Sequence, residues 1–206
     1  MLTHIRHSEK VFIMKRLILI LILTLSFQAL SKADDINDFE IEGMSIGSSL
    51  LDNYSENEIK IKIKDNNAFY YKNNIFLDIY FELENSNYEW VQITIKPKDK
   101  NYLIYSIGGQ LDYIDNISKC YKDMDNIFLD VKKKFKPNNF KRNIKITHTY
   151  DKTGNSKATY SRMYFDNGVI NVECYDWSEE IQLIDKLLVS VMSLEFREFI
   201  NNEAYK

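Results

Sequence analysis

Ile117-Ser118-Lys119-Cys120-Tyr121-Lys122-Asp123-Met124-Asp125-Asn126-Ile127-Phe128-Leu129-Asp130-Val131-Lys132-Lys133-Lys134-Phe135 is the stretch on which the reading of the fold turns. Ile117, Cys120, Tyr121, Met124, Ile127, Phe128, Val131 and Phe135 recur at spacings of three and four, which puts them on one stripe of an α-helix. Lys132, Lys133 and Lys134 fall in the last turn, where cations favour the helix dipole. Pro137 prevents its extension. A helix with one apolar stripe must bury it against something, and the residues on either side say what.

On both sides the period drops to two. Before the helix, Ile75, Leu77, Ile79, Phe81 and Leu83 alternate with Phe76, Asp78, Tyr80, Glu82 and Glu84, the pattern of a β-strand. The aromatic-rich residues 68–72 predict a strand ahead of it, with Asn73-Asn74 as the turn. Residues 88–96 predict another, ended by Pro97, and 102–107 a fourth before Gly108-Gly109. After the helix, strands are expected over 144–150, 158–165 and 169–175, with Gly154-Asn155 and Asn167-Gly168 as hairpin turns. Leu187, Val189 and Val191 mark a last strand, and Ser193 caps a terminal helix through Leu194, Phe196, Phe199 and Ile200.

Towards the N-terminus, residues 39–44 predict a short lead-in strand. Leu50-Leu51-Asp52 predicts a short helix, and Ser55 with Glu58 forms a capping box for a further helical turn. The expected fold is therefore α+β: an antiparallel, meander-like sheet of about six to eight strands with one long amphipathic helix packed across it. A short N-terminal helix and a C-terminal helix complete it. The two strand-rich halves on either side of the helix are similar in plan, though no residue-by-residue repeat aligns them.

Cys120 lies on the apolar stripe of the helix, and Cys174 on the strand face shared with Ile170 and Val172. Both point into the same expected core, so a Cys120–Cys174 disulfide between helix and sheet is predicted. The alternative is a pair of buried thiols.

The first 33 residues carry a different message. Lys15 and Arg16 precede an apolar run over 17–25 in which Thr24 is the one polar residue, and Ser31-Lys32-Ala33 supplies small residues at the two positions that a signal peptidase reads. That order is the pattern of a secretory signal peptide. It predicts Met14 as the true start, residues 1–13 as a mis-assigned extension, 14–33 as the signal, and cleavage between Ala33 and Asp34. The run is shorter than the roughly 20 residues of a spanning helix, so an anchored form is the alternative to cleavage. Residues 34–206 then form a single mature α+β domain, expected in the periplasm or, alternatively, outside the cell.

Processing removes five basic residues and one acid. Of 27 Lys+Arg and 30 Asp+Glu it leaves 22 and 29, a net charge near −7 with His neutral. An acidic domain lacks the cationic surface on which nucleic-acid affinity depends. The abundance of Lys, Ile, Asn and Tyr beside only 6 Gly and 2 Pro reflects AT-rich codons rather than a low-complexity tract.

Candidate chemistry is sparse. His148 is the only histidine after processing, which excludes a metal site built on several His, and no cofactor motif is present. Its neighbours Ile144, Ile146 and Tyr150 place it on a strand face. Asp112 with Asp115, Asp123 with Asp125, and Glu179 with Glu180 are adjacent acids of the kind found on solvated faces. The run from Asp151 to Ser156 has calcium-loop residue types without the alternating acids, and reads as a hairpin turn. Lys132, Lys133, Lys134, Lys136, Lys141, Arg142 and Lys145 form an acid-free basic stretch, a candidate partner surface for an anionic group. Aromatics recur on the strands (Tyr70, Tyr71, Tyr80, Tyr88, Trp90, Tyr102, Tyr105, Tyr160, Tyr164, Tyr175, Trp177). Those facing away from the helix would make a sheet face suited to a ligand or a protein.

The segment Asp34-Asp35-Ile36-Asn37-Asp38-Phe39-Glu40-Ile41-Glu42-Gly43-Met44-Ser45-Ile46-Gly47-Ser48-Ser49-Leu50-Leu51-Asp52 resembles the mature start of a family of small exported proteins from AT-rich marine alphaproteobacteria. The resemblance implies export and lends no function, since that family has no assigned activity. Gly43-Met44-Ser45 leading into an apolar helix is also similar to the small outer-membrane assembly lipoprotein domain. That family's lipobox cysteine and following Gly-Pro are absent here.

Together these observations predict a non-catalytic periplasmic protein that binds an envelope protein or a small ligand through its sheet face or basic loop. The alternatives are a small exported hydrolase using strand-end carboxylates such as Asp166, Asp176 or Glu179, and a structural envelope component.

Overall fold

The structure, a computed structural model, describes residues 35–204 apart from Asn85 and Asp115. The residues expected to form the signal peptide, its expected cleavage site at Ala33 and Asp34, and the expected extension before Met14 lie outside the described residues, Asp34 included. Eight antiparallel strands form one sheet in the order β1-β2-β3-β4-β8-β7-β6-β5. The strands are β1 (Phe69–Tyr70), β2 (Leu77–Glu82), β3 (Trp90–Ile95), β4 (Ser106–Asp112), β5 (Asn139–Thr147), β6 (Lys157–Phe165), β7 (Gly168–Asp176) and β8 (Lys186–Ser193). Three α-helices accompany them among the described residues: α1 (Glu56–Ile63), α2 (Ile117–Lys134) and α3 (Leu194–Asn202). The expected α+β architecture is the one observed.

Topologically the chain is one helix followed by a four-strand meander, twice over, with β4 paired to β8 at the seam. Ile59 of α1 and Cys120, Met124 and Phe128 of α2 are buried in one core with Ile79, Val91, Ile93, Ile107, Val172, Val189 and Val191 of the sheet. Both helices therefore cover the same face. Asn116 caps α2 by accepting from the Lys119 N–H, and the capping box of Ser55 and Glu58 starts α1. Cys120 and Cys174 are joined as predicted, with their Cα atoms 6.1 Å apart.

The second face is divided. At one end α3, capped by Ser193, lays Phe196 and Phe199 against Tyr71 and Phe76 in a smaller apolar cluster. Asp78 of β2 is drawn beneath this cover and is 1 % exposed, although its place in the alternation predicts a solvent-facing position. The rest of this face is open. No helix among the described residues is long and apolar enough to cross a membrane.

Local differences have plain causes. Residues 39–44 form a tight turn, closed by the Ile41–Met44 bridge with Glu42 and Gly43 both at positive φ, in place of the expected strand. Residues 102–104 hydrogen-bond to residues 47–50, and β4 begins only at Ser106 and runs through Gly108-Gly109. These glycines interrupt no strand. A Cβ on Gly109 would stand 2.5 Å from the Tyr88 ring, so the bare backbone is what lets Tyr88 pack on the sheet. Residues 68–72 supply only the two-residue edge strand β1 before a 3-10 turn. The strand expected over 144–150 starts earlier, at Asn139, and ends at Thr147.

Candidate functional site

The open face is built from every second residue of the central strands. Gln92 of β3, Gly108 and Gln110 of β4, Lys186, Leu188 and Ser190 of β8, and Asn171, Glu173 and Tyr175 of β7 line two adjoining cavities of about 260 and 430 Å³. Gln92, Tyr175 and Leu188 belong to both, so the two make one trough across the sheet. The larger cavity has the volume of a small-molecule site. Gly108 lies in the lining of the smaller cavity, where a Cβ would sit 2.9 Å from Leu188 Cδ1.

The larger cavity is walled by aromatic rings from two loops. His148, just past β5, lies 4.5 Å from the Trp177 ring and 5.4 Å from that of Tyr175. Tyr150 meets Trp177 edge-on at 6.1 Å, and Tyr175 stacks on it at 5.9 Å. Each such contact contributes about 1 kcal/mol beyond area burial, so the rings brace both loops. Asp151 holds the first loop from within. It accepts from the backbone and hydroxyl of both Thr153 and Ser156 and from the Ser178 hydroxyl of the second loop. Those donors hold its carboxyl well below the ordinary range. The expected hairpin turn is thus a tie between the two loops that wall the trough. The Trp177 backbone N–H donates to Asp185 Oδ1 at 2.7 Å, while its indole N–H is buried and finds no acceptor.

Charge in the trough is uneven. Around the smaller cavity Arg162 donates to Asn171 and, at 3.4 Å, to Glu173, and the Tyr175 hydroxyl donates to Glu173 at 2.7 Å. In the larger one Lys186 stands over the Tyr175 ring at 5.5 Å and donates to Gln110 Oε1 at 3.1 Å. Gln110 in turn donates to Asp112 at 2.9 Å, so the nearest acid is one amide removed from the ammonium. Burial pushes the Lys186 amine down, as it does the His148 imidazole. A second cation on the Tyr175 ring, roughly 6 Å from Lys186, would be repelled by about 3 kcal/mol at an effective dielectric near 20. The cage therefore disfavours cations.

The residues singled out from sequence fare unequally. Tyr80, Tyr175 and Trp177 line the larger cavity, and Tyr71 the smaller. Tyr105 packs on Phe76 near α3, Arg197 of α3 lies over Tyr164, and Arg162 over Tyr160. Tyr88 and Tyr102 pack in the core beneath α1 and α2. Trp90 lines a small cavity with Lys62 and Tyr80, and Tyr70 donates its hydroxyl to Ile63 O on the sheet edge. In the basic stretch Lys132 lies 3.6 Å from the Phe140 ring centre, and Arg142 pairs with Asp125 at 3.1 Å. The helix thus brings an acid to a stretch that has none in sequence. Lys133, Lys136 and Lys141 are exposed.

Asp166 accepts from Asn138 Nδ2 at 2.6 Å, and Asp176 from the Tyr121 hydroxyl at 3.0 Å. They stand at opposite ends of the β6–β7 ladder, which runs from Lys157↔Asp176 to Phe165↔Gly168, a span of roughly 30 Å. Glu179 is exposed on the loop after β7. The three do not converge. Sequence reading missed Lys186, Gln92 and Gln110. The signal for Lys186 was available in the alternation of Lys186, Leu188, Ser190 and Met192 with Leu187, Val189 and Val191.

No protein-family model, no curated protein and no solved structure matches the chain.

Proposed function

We propose that this is an exported, non-catalytic binding protein of the cell envelope whose ligand site is the open sheet face. The observation that carries the reading is the trough itself, floored by the central strands and walled by His148, Tyr150, Tyr175 and Trp177. Rigid aromatic walls with a few convergent polar groups are the make-up of a small-molecule site. The walls are held in place by Asp151 before any ligand arrives, which lowers the ordering cost of binding. The separation of Asp166 from Asp176 supports binding over carboxylate hydrolysis, since a general acid and base must flank one bond. Export rests on the charged, apolar and small-residue order of residues 14–33.

Two measurements test this. The chain has two tryptophans, so Trp90→Phe leaves Trp177 as the sole indole reporter. Titration of that variant with a library of small polar metabolites should shift Trp177 emission saturably for at least one compound. A library that moves neither that emission nor any amide resonance of β3, β4, β7 and β8 overturns the site. The mass of protein recovered from the periplasm of an expressing bacterium should correspond to a chain starting at Asp34, and a full-length mass overturns cleavage.

A further inference from the structure

The trough's own groups narrow the ligand class, on the reading that the trough is the binding site. Lys186 is a half-buried ammonium whose hydrogen-bond partner is one amide oxygen, Gln110 Oε1 at 3.1 Å. An ammonium carries three donors, so the floor holds further donor capacity beside aromatic walls. That unmet need is for an acceptor, and none of the side chains lining the larger cavity offers a competing negative charge. Glu173, the closest acid on β7, is taken by Arg162 and by the Tyr175 hydroxyl, and Asp112 is occupied by Gln110. A cation is disfavoured because Lys186 already holds the Tyr175 face at 5.5 Å. A neutral ligand would leave the ammonium uncompensated in a partly desolvated place.

We infer that the larger cavity takes a small ring-bearing carboxylate, its ring against Trp177 and Tyr175 and its carboxylate on the Lys186 ammonium. Charge supplies the orientation and the rings supply the contact area. The ring can be that of an aromatic acid or that of a sugar acid, and the carboxylate is common to both.

The test uses matched pairs on the Trp90→Phe chain, read by Trp177 emission and checked by calorimetry. Phenylacetate is set against 2-phenylacetamide, and galacturonate against galacturonamide. In at least one pair the acid should bind at least tenfold more tightly than its amide, and the pair that responds identifies the ring type. Lys186→Gln should abolish the discrimination, and Lys186→Arg should keep most of it. Equal binding of acid and amide overturns the carboxylate inference and leaves the trough as a site. No binding in either pair up to 10 mM, about a hundredfold above a 0.1 mM site, overturns the inference too, and the wider library then judges the trough separately. If Lys186→Gln does not fold by circular dichroism, the pairs on the unsubstituted Lys186 decide alone.

Discussion

Asp78 shows what one residue can carry. It accepts from the Tyr71 hydroxyl at 2.7 Å, Thr94 Oγ1 at 2.5 Å and Gln92 Nε2 at 2.7 Å. Burial nevertheless outweighs these donors and pushes its carboxyl up. Gln92 also lines the trough, so the buried acid positions a floor residue of the site. An unfolded Asp titrates near 3.9. Between that value and the raised native one the folded state binds more protons than the unfolded state, so stability falls as pH rises through the window. Asp78→Asn cannot ionise. The gap in unfolding free energy between wild type and Asp78→Asn, measured in urea at pH 4 and pH 8, should move in favour of the variant at the higher pH. A pH-independent gap would contradict the raised carboxyl. Asp78→Ala leaves three donors without their acceptor and should cost about 3 kcal/mol.

At the scale of elements, β4 and β5 illustrate opposite solutions. β4 is central and needs its glycines for close approach: Gly109 faces the Tyr88 ring, and Gly108 lies close to Leu188 in the lining of the smaller cavity. Gly109→Ala should destabilise by about 2 kcal/mol, because the ring must move out of packed surroundings. A urea midpoint unchanged from wild type would show that Tyr88 yields freely. β5 is the outer edge and is exposed along all nine residues, Phe140, Ile144 and Ile146 included. Lys141, Arg142 and Lys145 line it, and its pairing with β6 shifts register between Lys141 and Ile144, with Asn143 at positive φ. Charge and a bulge are the usual guards of an open edge. The basic stretch noted in the sequence is in large part this edge together with the end of α2.

For the molecule as a whole, the Cys120–Cys174 bridge ties α2 to β7 across 54 residues of sequence. It encloses β5, β6 and most of β7, the half of the sheet away from β4. In the chain-entropy account a loop of that length contributes about 4 kcal/mol. The double variant Cys120→Ala, Cys174→Ala should lose about that much in urea unfolding, with the loss felt mainly through the unfolded state. A loss below 1 kcal/mol would mean that packing of Met124 and Phe128 alone holds the helix.

The sequence by itself determined the elements whose signals are local: the stripe of α2, the Ser55 and Ser193 caps, the alternation in β2, and the shared core face of Cys120 and Cys174. These depend on spacing and on neighbours within a few residues, which a chain carries on its face. Tertiary structure alone decided that residues 102–104 turn back toward 47–50, and that Gly108-Gly109 lie inside a strand. It also decided that Asp78 is covered, and that Lys186, Gln110, His148 and Trp177 meet around one trough. Those outcomes follow from the β4–β8 pairing and from the seat of α3, contacts between residues about 80 to 130 positions apart. Period reveals which residues share a face, but not which other element covers that face.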